Sequence, residues 1–468
     1  MGLVAYGAYV PYNRLRREAI GAALGSGGGS GTRAVASYDE DTTSMAVEAA
    51  RSALRSVAGE IRPQRLYFAT AAPAYLDKTN AAAIHAALDL AAAALAVDVA
   101  GSVRSGVGAM LAGLEAPVPS LVACADVRTG RPGSAEERDG GDGAAVFVFG
   151  DSPAPIADAV ASAHSTAEFL DRWRVPGEAA SRVWEERFGE HVYAPLAEAA
   201  FLDALKQAGL TPDALDHLIV AGVHARAAKR FAGSCGVRAE AIAGDLTRSI
   251  GNTGTAHPGI ALADVLDRAE PEQTIAIVTL ADGASVLILR TTAALAERRA
   301  ADPVAAQVAA GNDSLSYPTF LTWRGMLDRE PPRRPDPEAP AAPPSHRSED
   351  WKFAFVGSRC TECGTRHLPP GRVCVRCGAV DRMTREPLSE VPATVATFTV
   401  DRLAYTPSPP LVAAVIDFDG GGRFRCQLTD VDPAEVAIGD RVRMTFRKIV
   451  TAGSVHNYFW KATPLRDR

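Results

Sequence analysis

Cys360, Cys363, Cys374 and Cys377 read C-x2-C, ten residues, C-x2-C. Each pair puts two thiolates on one tight turn. Two such turns close a tetrahedral S4 site, the geometry of structural zinc. Two knuckles of the same short spacing favour Zn2+ over disulfides, with a redox dithiol pair as the alternative. Gly364 and Gly378 follow the second cysteine of each pair, where the turn must relax. Because all four ligands are cysteine, no coordination position is left for water or substrate, so the metal is expected to be structural. The other thiols, Cys124, Cys235 and Cys426, form no disulfide framework, which fits a reducing cytoplasm. Cys124 lies in the apolar run 121–125 and reads as a packed core thiol.

The elements around this quartet divide the chain. At 468 residues, two or three domains are expected. With 47% hydrophobic and 22% charged residues the chain is globular, and a net charge of −6 gives no bulk attraction for nucleic acid or an anionic membrane. The start, MGLVAYGAYVPY, has no basic n-region or cleavage site, so no secretory signal is expected. The alanine-rich stretch 81–97 is interrupted by His85 and Asp89 and makes a poor membrane span. Residues 329–350 are rich in Pro and charge and are expected to form an extended linker. After the knuckles come β-patterned runs at 394–400, 411–418, 423–428 and 442–446, separated by turn signals such as Asp419-Gly420-Gly421-Gly422. They predict a small closed barrel of the OB type. Phe398, Tyr405, Phe424, Tyr458 and Phe459 would be core or interface residues of that barrel, or a stacking face for nucleic acid.

Before the linker the chain repeats itself. Residues 142–149 (DGAAVFVF) resemble 282–289 (DGASVLIL), and helices at 44–58 and 196–209 share an apolar face at the same spacing. Each helix leads into a strand, at 66–70 and 218–222. Two related halves mixing helices with buried strands predict a pseudo-dimeric α/β domain. Two segments, 103–114 and 254–266, are helical in character with almost no charge, so both are expected to lie buried between two sheets.

These features together resemble the thiolase superfamily, closest to HMG-CoA synthase and the type III β-ketoacyl synthases. The resemblance rests on the repeated halves, Gly-Asp-Gly-Ala-Ala closing the first, and Gly251-Asn252 opening the second buried helix. It also rests on residues 172–196, which resemble the region joining the halves, and on Asp77-Lys78-Thr79-Asn80, which resembles the loop after the catalytic glutamate. The C-terminal part resembles zinc-ribbon plus OB domains that accompany such enzymes. The implied architecture is a thiolase-like five-layered α/β sandwich, followed by a zinc ribbon and an OB-fold barrel. Its expected parts are an N-terminal half (1–160), a C-terminal half (161–328), the linker (329–350), the ribbon (351–384) and the OB domain (385–468).

The resemblance also implies chemistry. Relatives place a cysteine nucleophile at the N-terminus of the first buried helix, where the helix dipole and N–H groups stabilise a thiolate and then an oxyanion. A histidine and an asparagine polarise the thioester carbonyl, and His224 and Asn252 match those positions. The cysteine position falls on Val103 and the acid/base glutamate near Pro73, so the family's covalent acyl-enzyme step has no nucleophile here. Ser102 and Ser105 flank the lost cysteine and are either serine nucleophile candidates or helix caps. Arg104 is either a ligand for a carboxylate or phosphate or a structural partner. His257 is either a second acid/base group or a satisfied core histidine, and Lys78 forms with Asp77 a solvated pair on a loop, with the alternative of a minor role near the family's site entrance. His224 has the alternative of a hydrogen-bonded strand-end histidine, and Asn252 that of a turn residue.

Three functions follow as expectations. The first is an enzyme acting on an acyl-CoA or acyl-carrier thioester without a cysteine acyl-enzyme, by aldol or retro-aldol chemistry, its zinc and OB part covering the tunnel mouth or helping to hold coenzyme A. The second is a non-catalytic acyl-CoA-binding or scaffold subunit for a partner enzyme of the same pathway. The third, disfavoured by the acidic balance, is nucleic-acid binding by the C-terminal module. A homodimer is implied by the resemblance.

Overall fold

Asp41 opens the first long helix, α1 (Thr42–Arg55), with a capping box. Its Oδ1 accepts from the Ser44 N–H at 2.9 Å, and Ser44 Oγ accepts from the Asp41 N–H at 2.9 Å. The structure, a computed structural model, describes residues 1–57, 59–330 and 338–466. They form two units, one of residues 1–37, 41–82 and 90–320, the other of 38–40, 83–89 and 321–468.

In the first unit the strands are β1 (Gly2–Tyr9), β2 (Arg65–Thr70), β3 (Leu95–Ala100), β4 (Ser120–Val127), β5 (Asp142–Gly150), β6 (Ala157–Thr166), β7 (His217–Gly222), β8 (Thr274–Leu280) and β9 (Gly283–Thr291). They lie in the order β7-β8-β9-β6-β1-β5-β4-β2-β3. The two halves of this sheet touch through the single pair Leu3↔Ala157, so each repeat has its own sheet. Helix α1 packs on β1, β4 and β5, while α2 (Ser105–Leu114) packs on β2 to β5. Helices α3 (Glu186–Ala208) and α4 (Ala225–Ser234) cover the second half. Helix α5 (His257–Leu266) touches strands of both halves and carries Ile260, Leu262, Val265 and Leu266 into the core shared by Phe147, Phe149 and Ile275. The result is the five-layered α/β sandwich, built because each helix has one apolar face and each sheet has two to cover.

The repeat 142–149 and 282–289 becomes β5 and β9. Two helices differ from expectation. Helix α2 begins at Ser105 rather than 103 and is only half covered: Gly108 is exposed, and Val107, Met110 and Leu111 are half-buried. Its apolar circumference exceeds what one neighbouring sheet can cover. Helix α3 begins at Glu186, ten residues before the expected start, and runs through Pro195. The early turns are held by Gly189 and Tyr193, which are buried, and that outweighs the N–H that Pro195 lacks.

In the second unit β10 (Val356–Cys360), β11 (Arg366–His367) and β12 (Met383–Pro387) form a three-stranded sheet at the knuckles. Next comes a closed five-stranded barrel: β13 (Ala393–Asp401), β14 (Leu411–Phe418), β15 (Arg423–Leu428), β16 (Arg441–Ala452) and β17 (Val455–Pro464). Strand β14 alternates buried and half-buried residues along its length, as a small barrel requires. The fifth strand, β17, escapes the sequence pattern because Lys461 occupies a buried position, its Nζ 2.8 Å from Asp39 Oδ2. Tyr458 stacks on Phe446, and Phe424 and Phe459 pack on Trp351, so these aromatics serve packing. Of the Pro-rich stretch 329–350, residues 331–337 lie outside the described residues. From Ala342 the chain is helical (Ala342–Arg347), not extended, because its prolines occupy the first helical turn, where a missing N–H leaves no bond unmade.

Candidate active site

The four knuckle sulfurs lie within 4.8 Å of one another, with Cys360 Sγ to Cys377 Sγ at 3.6 Å and Cys363 Sγ to Cys374 Sγ at 3.5 Å. A tetrahedral zinc with ~2.3 Å bonds requires sulfurs about 3.8 Å apart, so the donor set fits the metal. Gly364 and Gly378 take φ of 72° and 76°, and each N–H donates to the carbonyl of the first cysteine of its pair at 2.9 Å. These are left-handed conformations that a side chain would strain.

In the first unit a cavity of about 510 Å3 is lined by Pro73, Ser102, Val103, Asp171, Tyr193 and Asp282, among others. Both positions where the resemblance sets a cysteine and a glutamate, Val103 and Pro73, therefore face one space. The cavity floor is the start of α2, whose dipole has its positive end there. Its cover is a hairpin in which Arg172–Trp173 pairs with Arg182–Val183 and the intervening residues line the cavity.

The polar groups of this cavity are ones that sequence reasoning did not single out. Asp171 is buried, and the Tyr193 phenol lies beside it and beside Asp282, all three lining the cavity. Burial raises the Asp171 carboxyl above the usual range, the nearby Asp282 adds to this, and the Tyr193 phenol and His224 oppose it. Burial and Asp171 likewise push the Tyr193 phenol upward, so it is a neutral hydrogen-bond donor. Asp282 holds φ at 46°, an uncommon conformation for a residue with a side chain, at the turn that places it beside Tyr193. The 172–196 segment carried a resemblance but no periodicity that marks Asp171 or Tyr193. They are 22 positions apart and meet only because α3 returns along the hairpin.

Sequence-nominated residues lie around the cavity in several ways. Ser102 lines it, and Ser105 Oγ accepts from the Ser102 N–H at 3.4 Å. His224 is buried at the N-cap of α4: Nδ1 accepts from the Ala227 N–H at 3.1 Å and Nε2 donates to the Glu186 carbonyl at 2.8 Å. Its ring packs 5.8 Å from Tyr193. Asn252 Nδ2 donates to the Gly222 carbonyl at 2.6 Å, and Oδ1 accepts from the Gly254 N–H at 2.9 Å. It thereby ties the end of β7 to the approach of α5. Arg104 holds the turn before β9, donating to Thr166 Oγ1 at 2.7 Å and to the Asp282 carbonyl. Lys78 is exposed, its Nζ 3.2 Å from the Thr79 carbonyl, and His257 is buried beside Thr253 with its ring lowered to about 4 by burial. Cys124 lies under α2 beside a separate apolar space of about 50 Å3 that also touches Val103. Burial pushes its thiol up to about 12, which keeps it protonated.

The hydroxymethylglutaryl-CoA synthase of Pyrococcus furiosus is 30% identical over 295 residues, 61% of this chain and 84% of that protein. The chain belongs to the hydroxymethylglutaryl-CoA synthase family. A solved HMG-CoA synthase complexed with CoA shares the fold at a TM-score of 0.59, with 16% identity over 68% of this chain and 89% of that one. So does 3-oxoacyl-(acyl carrier protein) synthase III of Pseudomonas aeruginosa PAO1, at a TM-score of 0.55, 19% identity, 62% of this chain and 98% of that one. Beyond the part shared with the hydroxymethylglutaryl-CoA synthase family, residues 353–381 match the ChsH2 rubredoxin-like zinc ribbon domain. Residues 386–447 match the ChsH2 C-terminal OB-fold domain. Among the described residues no helix is long and apolar enough to cross a membrane.

Proposed function

We propose that this protein makes or breaks a carbon–carbon bond in an acyl-CoA or acyl-carrier thioester by acid/base chemistry, without a covalent acyl-enzyme. The observation that carries this reading is the pairing of Val103 with Asp171 in one cavity: the nucleophile position holds an inert side chain, and a proton-moving group stands in the same space. In the aldol direction Asp171 removes a proton from the carbon beside the thioester carbonyl. The enolate oxygen faces the positive end of α2, the enolate carbon adds to the second substrate's carbonyl carbon, and the new alkoxide takes the proton back from Asp171. Tyr193 positions Asp171. His224 and Asn252 act here by holding α3, α4 and the end of β7 in place, and Ser102 by contributing a hydroxyl to the wall. Zinc is held by the four cysteines as a structural ion, and the protein works as a homodimer.

The test is incubation with acyl-CoA donors and aldehyde or ketone acceptors, following free CoA and new carbon–carbon products. Turnover lost in Asp171→Asn supports the reading. Tight CoA binding with no turnover in any pairing replaces it with the binding-subunit function, in which a partner enzyme of the same pathway does the chemistry.

A further inference from the structure

The Asp-Gly-Ala repeat puts one aspartate in each half, and the fold uses the two differently. Asp142 opens β5, is fully buried, and has its carboxylate taken up by the structure. Its Oδ2 accepts from the Ala36 N–H at 2.7 Å, its Oδ1 accepts from the Arg128 N–H at 2.8 Å, and Arg33 Nη2 lies 3.5 Å away. Asp282 stands just before β9, is exposed, and lines the cavity. Among the described residues its carboxylate has no hydrogen bond and no ion pair. Its main chain is firmly held all the same. φ is 46°, the carbonyl accepts from Arg104 Nη1, and the Ala281 N–H donates to the Gly283 carbonyl at 3.1 Å. A fixed turn in an uncommon conformation thus presents a carboxylate that the fold itself does not use. The other charged groups of the cavity are engaged. Arg128 and Arg172 pair with Glu136, Arg174 donates to the Ala71 carbonyl, Glu178 accepts from Arg182 at 2.6 Å, and Asp171 packs with Tyr193.

We propose that Asp282 selects the second substrate: its carboxylate accepts a hydrogen bond from a hydroxyl on the acceptor, so that the acceptor is a hydroxylated aldehyde or ketone. The proposal rests on the acyl-thioester reading above and adds to it an acceptor class and a specificity-determining residue. Val103, Asp171 and Asp282 line one space of about 510 Å3, within the range of ligand cavities. An acceptor whose carbonyl meets the enolate carbon there is enclosed by the same walls as Asp282. An apolar group against that carboxylate strips its water and returns no hydrogen bond. An acidic group is repelled by it. A cationic group faces the guanidinium groups of Arg128, Arg172 and Arg174 in the same walls. A neutral hydroxyl meets none of these penalties, and a hydrogen bond to an ionised acceptor is among the stronger ones.

Hydroxyacetone and butanone differ by a hydroxyl in place of a methyl group, and they test this as acceptors with propionyl-CoA as donor and the full chain as enzyme. The readout is the ratio of kcat/KM for hydroxyacetone to that for butanone, compared between wild type and variants. Intrinsic acceptor reactivity and any change at Asp171 cancel in that comparison. Asp282→Gly removes the carboxylate and suits a φ of 46°, and it is expected to lower the ratio about ten-fold or more, the worth of a hydrogen bond to a charged group. Asp282→Asn keeps a neutral acceptor on the same turn and is expected to lower the ratio by less. Thermal melts establish folding, and Asp282→Asn decides the matter if Asp282→Gly does not fold. A ratio that neither variant lowers overturns the proposal and leaves the thioester reading standing. Loss of all turnover in both folded variants also overturns it and assigns Asp282 to the proton transfer itself. If the wild type joins neither acceptor to the donor yet exchanges deuterium into propionyl-CoA, the proposal falls alone; with neither product nor exchange, both fall.

Discussion

Asp171→Asn separates activity from stability in a way that few substitutions can. The wild-type carboxyl is buried and its pKa is raised, so the folded state holds the proton more tightly than the unfolded chain does. Asp171 therefore favours folding below the ordinary carboxylate range, and that contribution is lost as pH rises through its raised value. Ionising this desolvated carboxyl costs the folded state, and asparagine removes that cost while keeping the side chain's size. Asp171→Asn should melt no lower than the wild type at pH 7. Its turnover should fall by about 10²–10⁴-fold, the range for losing a general acid/base group, which is roughly 3–5 kcal/mol of transition-state stabilisation. Tyr193→Phe should behave differently: it removes the hydroxyl from the buried group that Tyr193 forms with Asp171 and Asp282 and should destabilise by about 1–3 kcal/mol. Wild-type turnover should rise with pH above the usual carboxylate range as Asp171 ionises. The assays are carbon–carbon bond turnover across pH and thermal denaturation of each variant. A marked drop in melting temperature for Asp171→Asn, or turnover that survives it, would refute the reasoning.

Two further outcomes are expected. A Cβ at Gly189 would lie 2.5 Å from His224 Cδ2 and 2.7 Å from Nε2. Gly189→Ala should therefore push the ring off the Glu186 carbonyl, destabilise by about 1–3 kcal/mol and lower turnover, seen by melting and rate; unchanged melting would contradict the packing described. Metal analysis should find one zinc per chain. Chelation or Cys363→Ser should change the near-ultraviolet circular dichroism of Trp351 and Trp460, and an unaltered spectrum would contradict a structural role.

The sequence was most legible where one local rule fixes the outcome. Two C-x2-C pairs demand a metal turn, the apolar β-patterned run 411–418 between turn signals becomes a barrel strand, and the DGA repeat reappears as β5 and β9. It was least legible where partners meet across the fold. Lys461 hides β17 because its charge is cancelled by Asp39, 422 residues away in sequence. Asp171 and Tyr193 carry no motif, and their chemistry comes from burial and from each other. His224 and Asn252 were visible through a resemblance, which gave their positions but not the backbone hydrogen bonds that engage them here.

The central claim is that a thioester is activated in front of Val103 by proton transfer and not by acylation. It is tested most directly by incubating the wild type, Asp171→Asn and Val103→Cys with an acyl-CoA in D2O. Deuterium at the carbon beside the thioester and the intact mass of the protein are then read together. The account predicts exchange by the wild type with no mass gain, loss of exchange in Asp171→Asn, and an acyl adduct on Val103→Cys alone. An acyl adduct on the wild-type chain, or exchange that Asp171→Asn leaves untouched, would contradict it.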